Sequence, residues 1–113
     1  MRESVIMSNR PAYSIELRAQ VKAFYETLGP ERRVIKRALE GLRAEKGNIR
    51  ALESPLTGHY RLSVGGYRVI FRYAPGRKVI CVFLNTRKLV YELFENEVLR
   101  RLLGESTGPG SDV

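Results

Sequence analysis

The sequence predicts an α+β domain, an N-terminal strand and helical hairpin packed on a small antiparallel β-sheet and followed by a C-terminal helix. Three observations carry this expectation. His59 to Phe83 reads as three short strands separated by two turn signals. Two segments ahead of it space their apolar residues at helical intervals. The length, 113 residues, suits one domain, since domains commonly run about 100–150.

The elements follow in order. Residues 1–11 carry no periodic pattern and are expected to be flexible, ahead of a single domain over 12–103. Tyr13, Ile15 and Leu17 alternate with Ser14 and Glu16, the signature of a short strand. Leu17, Val21, Phe24, Tyr25 and Leu28 then adopt helical spacing. Gly29-Pro30 ends that helix and opens the next, because proline is tolerated near a helix start. The second helix is expected from Glu31 to Glu45, with Val34, Ile35, Ala38, Leu39 and Leu42 as its apolar stripe. Arg32, Arg33, Lys36, Arg37 and Arg43 line its outer face, either as solvated charge or as an aid in holding a polyanion. Gly47 to Gly58 reads as a loop punctuated by Pro55. Val90, Leu93, Phe94, Val98, Leu99, Leu102 and Leu103 predict a final amphipathic helix. The composition of residues 104–113 is that of a disordered tail.

The strand register can be derived. Gly65-Gly66 between apolar runs predicts a two-residue type I′ turn, with positive φ at both glycines. Val64 then faces Tyr67, Ser63 faces Arg68, Leu62 faces Val69, Arg61 faces Ile70 and Tyr60 faces Phe71. Alternation puts Tyr60, Leu62, Val64, Tyr67, Val69 and Phe71 on a core face, and Arg61, Ser63, Arg68, Ile70 and Arg72 on the other. After a turn at Ala74-Pro75-Gly76-Arg77, Ile80, Val82 and Leu84 are expected on the core face. Val79, Cys81, Phe83 and Asn85 are expected on the arginine face, which is left open. Arg61 lies diagonally from Arg68 and Arg72, at roughly 7–8 Å between backbones. Like charges so placed repel unless an anion or water compensates them. The face is therefore either an anion-binding surface or a set of solvated edge charges.

Composition narrows the partners. Twenty Lys+Arg against 12 Asp+Glu give a net charge of +8, which favours RNA, DNA, an acidic protein or an anionic membrane. No apolar run approaches the roughly 18 residues of a spanning helix. The N-terminus lacks the apolar stretch of a signal peptide, so a cytoplasmic location is expected. Cys81 is the single cysteine and is read as a packing residue; an intrachain disulfide is excluded. His59 is the single histidine and is read as structural. One Cys and one His do not furnish a zinc site of such ligands, and no metal or cofactor is expected.

Several runs together resemble the RelE/ParE superfamily of bacterial toxins. They are Leu-x-Gly-x-Tyr-Arg at Leu56 to Arg61, Gly-x-Tyr-Arg-Val-Ile at Gly65 to Ile70, the following apolar strand, and Arg87-Lys88-Leu89-Val90-Tyr91. The resemblance covers residues 12–103 and includes the helical hairpin. It implies a toxin of a type II toxin–antitoxin system, neutralised by a co-encoded antitoxin. A cationic toxin favours an acidic antitoxin segment that folds upon it. RelE-like members cleave messenger RNA in the ribosomal A site, whereas ParE-like members inhibit DNA gyrase without cutting.

For the RelE-like reading, the resemblance places the catalytic surface on the arginine face and maps its basic positions to Arg61, Arg68, Arg87 and Lys88, and its tyrosine to Tyr91. Ser63, Arg72 and Asn85 are expected to contact RNA from the same face, with Arg33 and Arg37 of the second helix assisting. Metal-free cleavage uses the 2′-OH against the adjacent phosphate. Arginine holds phosphate bidentately and stabilises developing charge, but it does not shuttle protons. Lys88 or Tyr91 is the candidate for proton transfer; Tyr91 is alternatively a base-stacking residue. Ser63 departs from RelE-like members, which often carry a second basic residue there, and Thr86 stands where a histidine often precedes the arginine. A ParE-like gyrase inhibitor, which Ser63 slightly favours, and a nucleic-acid-binding domain without toxicity are the alternatives.

Overall fold

Alternation from Tyr13 onward does make a strand, and its partner is a strand from the second half of the chain, running parallel to it. A computed structural model describes residues 12–104; the expected flexible start and the tail from 105 lie outside the described residues. Strand β1 (Ser14–Leu17) leads into helix α1 (Ala19–Glu26) and helix α2 (Glu31–Gly41), which tightens into a 3₁₀ turn at Leu42–Ala44. Then come β2 (Asn48–Ala51), β3 (Tyr60–Val64), β4 (Tyr67–Ala74), β5 (Lys78–Thr86) and helix α3 (Val90–Leu102). The sheet order is β1-β5-β4-β3-β2, antiparallel throughout except that β1 runs parallel to β5.

The β3–β4 hairpin has the predicted register, with Tyr60↔Phe71, Arg61↔Ile70, Leu62↔Val69, Ser63↔Arg68 and Val64↔Tyr67. Its turn differs. Only Gly65 has positive φ, 57°, the type II′ pattern in which the first central residue alone takes the left-handed region. Beyond it the expected alternation fails in β5. An irregularity at Ile70/Phe71 pairs Ile70 with Phe83 but Phe71 with Cys81, so Val82 is an extra residue. Leu84, Phe83 and Asn85 keep their expected faces. Val79 and Cys81 move into the core under the helices, and Ile80 and Val82 turn to the arginine face.

Two apolar clusters result. Val21 of α1, Ile35 and Leu39 of α2, and Leu42 pack on Leu62, Val64, Val69, Phe71, Val79, Cys81 and Leu84. Burying such a side chain stabilises the fold by about 1.5–3 kcal/mol. Val34, expected in the stripe of α2, is 58% exposed, because the buried residues of that helix, Ile35 and Leu39, lie one i,i+4 row away. The second cluster lies on the opposite face. There Val90 and Phe94 of α3, together with Leu56, cover Ile70 and Phe83. The arginine face is therefore not fully open: a helix covers its middle.

Gln20 explains how β5 survives where β1 ends. The last β1 pair is Leu17↔Cys81, and the Arg18 backbone N–H still reaches the Cys81 carbonyl at 3.0 Å. Further along, the Gln20 side-chain amide donates to the Leu84 carbonyl at 2.8 Å and accepts from the Leu84 N–H at 2.8 Å. The amide offers N–H donors beside a carbonyl acceptor, as a strand residue does, so it substitutes for the missing neighbour.

Candidate nucleic-acid interface

The segment from Gly47 to Gly58 is not all loop. Asn48–Ala51 forms the edge strand β2, paired Asn48↔Ser63, Ile49↔Leu62, Arg50↔Arg61 and Ala51↔Tyr60. Gly47 makes the entry possible: its φ is +125°, and a Cβ there would lie 2.6 Å from Leu62 Cδ1. Directly paired residues share a face. Two rows of side chains thus cross the arginine face, Arg50–Arg61–Ile70–Phe83 and Asn48–Ser63–Arg68–Asn85.

Arg50 faces Arg61 across the ladder, which is a destabilising juxtaposition of like charges. Among the described residues no carboxylate pairs with Arg50, Arg61 or Arg68. Arg61 and Arg68 are half-buried, Arg50 exposed. Arg68 is held against its own hairpin, with Nη1 donating to the Gly65 carbonyl at 2.9 Å and the Tyr67 carbonyl at 2.8 Å. Asn85 accepts the Thr86 N–H at 2.8 Å. Among the described residues, the buried side-chain polar atoms without a hydrogen-bond partner are His59 Nδ1, Arg61 Nε and Ser63 Oγ. Residues 59, 61 and 63 alternate onto this one face. Buried polar groups are ordinarily satisfied, and a cluster of exceptions marks a place that calls for another explanation.

The other expected residues fall around these rows. Arg87 and Lys88 are exposed in the turn after β5, and the Arg87 N–H donates to the Gly66 carbonyl at 2.9 Å. That bond joins the turn to the hairpin tip that also anchors Arg68. Tyr91, in the first turn of α3, is half-buried against the cluster containing Ile70 and Phe83, beside the Arg61 row. Arg72 lies beyond Ile70 on the same face, on the far side of the covered middle. Arg33 and Arg37 do not join the set. They are exposed on α2, whose packing is against the opposite face of the sheet.

His59 is structural in one respect, since its ring stands edge-on to Phe94 at 5.1 Å. Its pKa is lowered from the usual imidazole value, chiefly by burial; the Leu56 carbonyl opposes the shift and the Arg72 charge adds to it. Cys81 is buried in the core and its thiol is pushed up to about 12 by desolvation, which suits packing rather than nucleophilic work. Among the described residues no cluster of His, Cys, Asp and Glu could hold a metal ion, and no helix is long and apolar enough to cross a membrane.

Arg50 was missed in the sequence because β2 is only four residues long and sits in a segment with Pro and Gly punctuation. The signal was the alternation of Asn48 and Arg50 with Ile49 and Ala51.

No protein-family model and no curated protein matches the chain. Solved structures do share its fold. A chain of the RelBE2 toxin–antitoxin complex from Mycobacterium tuberculosis is 20% identical, with a TM-score of 0.55, covering 67% of this chain and 99% of that one. One from the RelB–RelE antitoxin–toxin complex of Methanococcus jannaschii is 24% identical, with a TM-score of 0.53 and coverage of 70% and 98%. YafQ from Escherichia coli is 15% identical, with a TM-score of 0.53 and coverage of 67% and 94%. The α+β architecture of this chain is thus a RelE-like toxin fold, as the motifs at Leu56 to Arg61 and Gly65 to Ile70 implied.

Proposed function

We propose that this chain is the toxin of a type II toxin–antitoxin pair and acts as a ribosome-dependent endoribonuclease on messenger RNA. The observation that carries the reading is the Arg50–Arg61 row beside Arg68, guanidinium groups with no carboxylate counterion among the described residues. A phosphodiester supplies the missing negative charge, and the guanidinium fork matches its geometry. The RelE-like fold supports the same reading. It favours RNA cleavage over gyrase inhibition. The RelBE neighbours were solved as complexes with antitoxins, which supports an antitoxin as the partner here.

The chemistry assigned to the site is in-line transesterification. The 2′-OH loses its proton and its oxygen attacks the adjacent phosphorus. The bond from phosphorus to the 5′ oxygen breaks, leaving a 2′,3′-cyclic phosphate and a 5′-OH that takes up a proton. Arg61 and Arg68 hold the non-bridging oxygens as charge grows on them. Arg50 supplies a second cation beside Arg61, the role for which Ser63 has no charge. Lys88 and Tyr91 border the rows and are the proton-transfer candidates; Arg87 adds positive charge at the hairpin end.

Purified protein added to ribosomes programmed with a defined message tests this. The expected result is cleavage inside the A-site codon, dependent on ribosomes, with a cyclic phosphate on the upstream fragment. Intact message together with inhibited gyrase supercoiling would overturn it in favour of the ParE-like alternative.

A further inference from the structure

On the other side of α3 the arginine face ends in a second basic site. A cleft of roughly 390 Å³ opens there, within the range of small-ligand sites, and its polar lining is Arg18, Gln20, His59, Arg72, Glu97 and Arg101. The lining carries three guanidinium groups and one carboxylate. That carboxylate is engaged, since Arg101 Nη2 lies 2.9 Å from Glu97 Oε2, and Arg18 pairs with Glu16 at 3.2 Å. Arg72 is left half-buried with no carboxylate partner among the described residues. Beside it is His59, whose Nδ1 is one of the unpartnered buried atoms. Val82, Phe94 and Val98 form apolar walls, which strengthen any charge–charge attraction inside. Ala19 and Gln20, the first residues of α1, complete the rim; that helix start has no side-chain cap and no acidic residue in its first turn. Its free backbone N–H groups add to the positive potential.

We propose that this cleft is a phosphate-binding subsite that holds the backbone of single-stranded RNA at a distance from the bond that is cut. The assignment rests on the RNA-directed reading given above. Arg72 shares its sheet face with Arg68 and stands four residues along the same strand, about 13 Å away at strand rise. Because α3 covers Ile70 between them, an RNA strand joining the two sites passes around that helix, a path longer than the straight separation that several nucleotides at about 3.4 Å each can span. Such a contact carries no base information; it sets the register of the strand over the catalytic rows. The same cluster of cations would also take free phosphate, so the source of the phosphate must be tested.

The full-length protein is titrated with inorganic phosphate, and separately with a short single-stranded oligoribonucleotide made uncleavable by 2′-O-methylation. The backbone amide signals of Ala19 and Gln20 and the His59 imidazole signals are followed by NMR. Both probes are expected to move these signals, and the oligoribonucleotide to compete phosphate away. Arg72→Gln weakens both by about tenfold. Glu97→Gln strengthens both by about threefold, because it removes the lining carboxylate and frees Arg101. Silent signals, or weaker binding in Glu97→Gln, would overturn the subsite. Phosphate binding without competition by the oligoribonucleotide would overturn the RNA assignment. The two readings fail separately: RNA in the cleft without ribosome-dependent cleavage sinks the nuclease, and cleavage with silent cleft signals sinks the subsite alone.

Discussion

Arg61 occupies a position that stability alone does not favour. It faces Arg50 and has a buried Nε without a partner among the described residues. A directly opposed like-charge pair costs about 0.2–1 kcal/mol. Arg61→Ala is therefore expected to leave the unfolding free energy unchanged or raise it by about 0.5 kcal/mol, while cleavage falls by about 10²–10³-fold. Urea midpoints and cleavage rates measured on one preparation check this; parallel losses would make Arg61 a structural residue. Arg68 behaves differently, because its Nη1 ties down the Gly65 and Tyr67 carbonyls and its truncation costs stability as well. His59 supplies a pH test. Its folded pKa lies below the unfolded value, so both states are neutral above about 6.5 and stability is fully present there. Below that value the unfolded chain takes up the proton first, and stability falls with pH. His59→Gln is expected to lose less stability than the parent between pH 7 and pH 5, read as the shift in urea midpoint.

At the scale of elements, the extra residue in β5 decides which side chains serve the core and which the site. With Val82 inserted, Cys81 and Val79 enter the helix-side core, and Ile80 and Val82 turn to the other face. The same strand loses its β1 neighbour after Cys81, and the Gln20 amide takes over at Leu84. Gln20→Ala strands a donor and an acceptor in a partly buried place and is expected to cost about 1–3 kcal/mol. Hydrogen exchange at the Leu84 amide should accelerate with it. An unchanged exchange rate would mean that the strand edge is held by something other than the amide. Strand β2 is the converse case, a short edge strand that places Arg50 directly opposite Arg61.

At the scale of the molecule, charge is distributed over both layers: Arg32, Arg33, Lys36 and Arg37 line the exposed side of α2, and Arg50, Arg61 and Arg68 gather on the sheet face. Arg33 and Arg37 lie on the helical layer and are separated from the arginine face by the core. RNA binding should therefore be salt-dependent through the sheet-face arginines, with log affinity falling by about 0.7 per phosphate contact for each unit of log salt. Replacing both Arg33 and Arg37 by Gln is expected to leave that slope unchanged, and Arg61→Ala to reduce it by one contact. Equal reductions from the two variants would mean that the RNA wraps onto the helices. The covered middle, where α3 seals Ile70 and Phe83, divides the basic surface into the Arg50–Arg61–Arg68 side and the Arg72 cleft.

Local pattern alone determined much of this protein. Glycine turn chemistry and strict alternation specified the β3–β4 register, and with it the shared face of Arg61 and Arg68. Helical spacing located α1, α2 and α3, because each needs only neighbours three and four residues away. Tertiary structure decided the rest. The parallel pairing of β1 with β5, the added strand β2 and the β5 bulge are choices between distant segments, and no local period encodes them. They brought Arg50 to Arg61 and placed Arg18, Arg72 and Arg101 around one cleft, from positions scattered along the chain. Side chains so far apart in sequence meet only when loop-closure entropy is offset by burial of two separate cores, a balance struck by the whole fold.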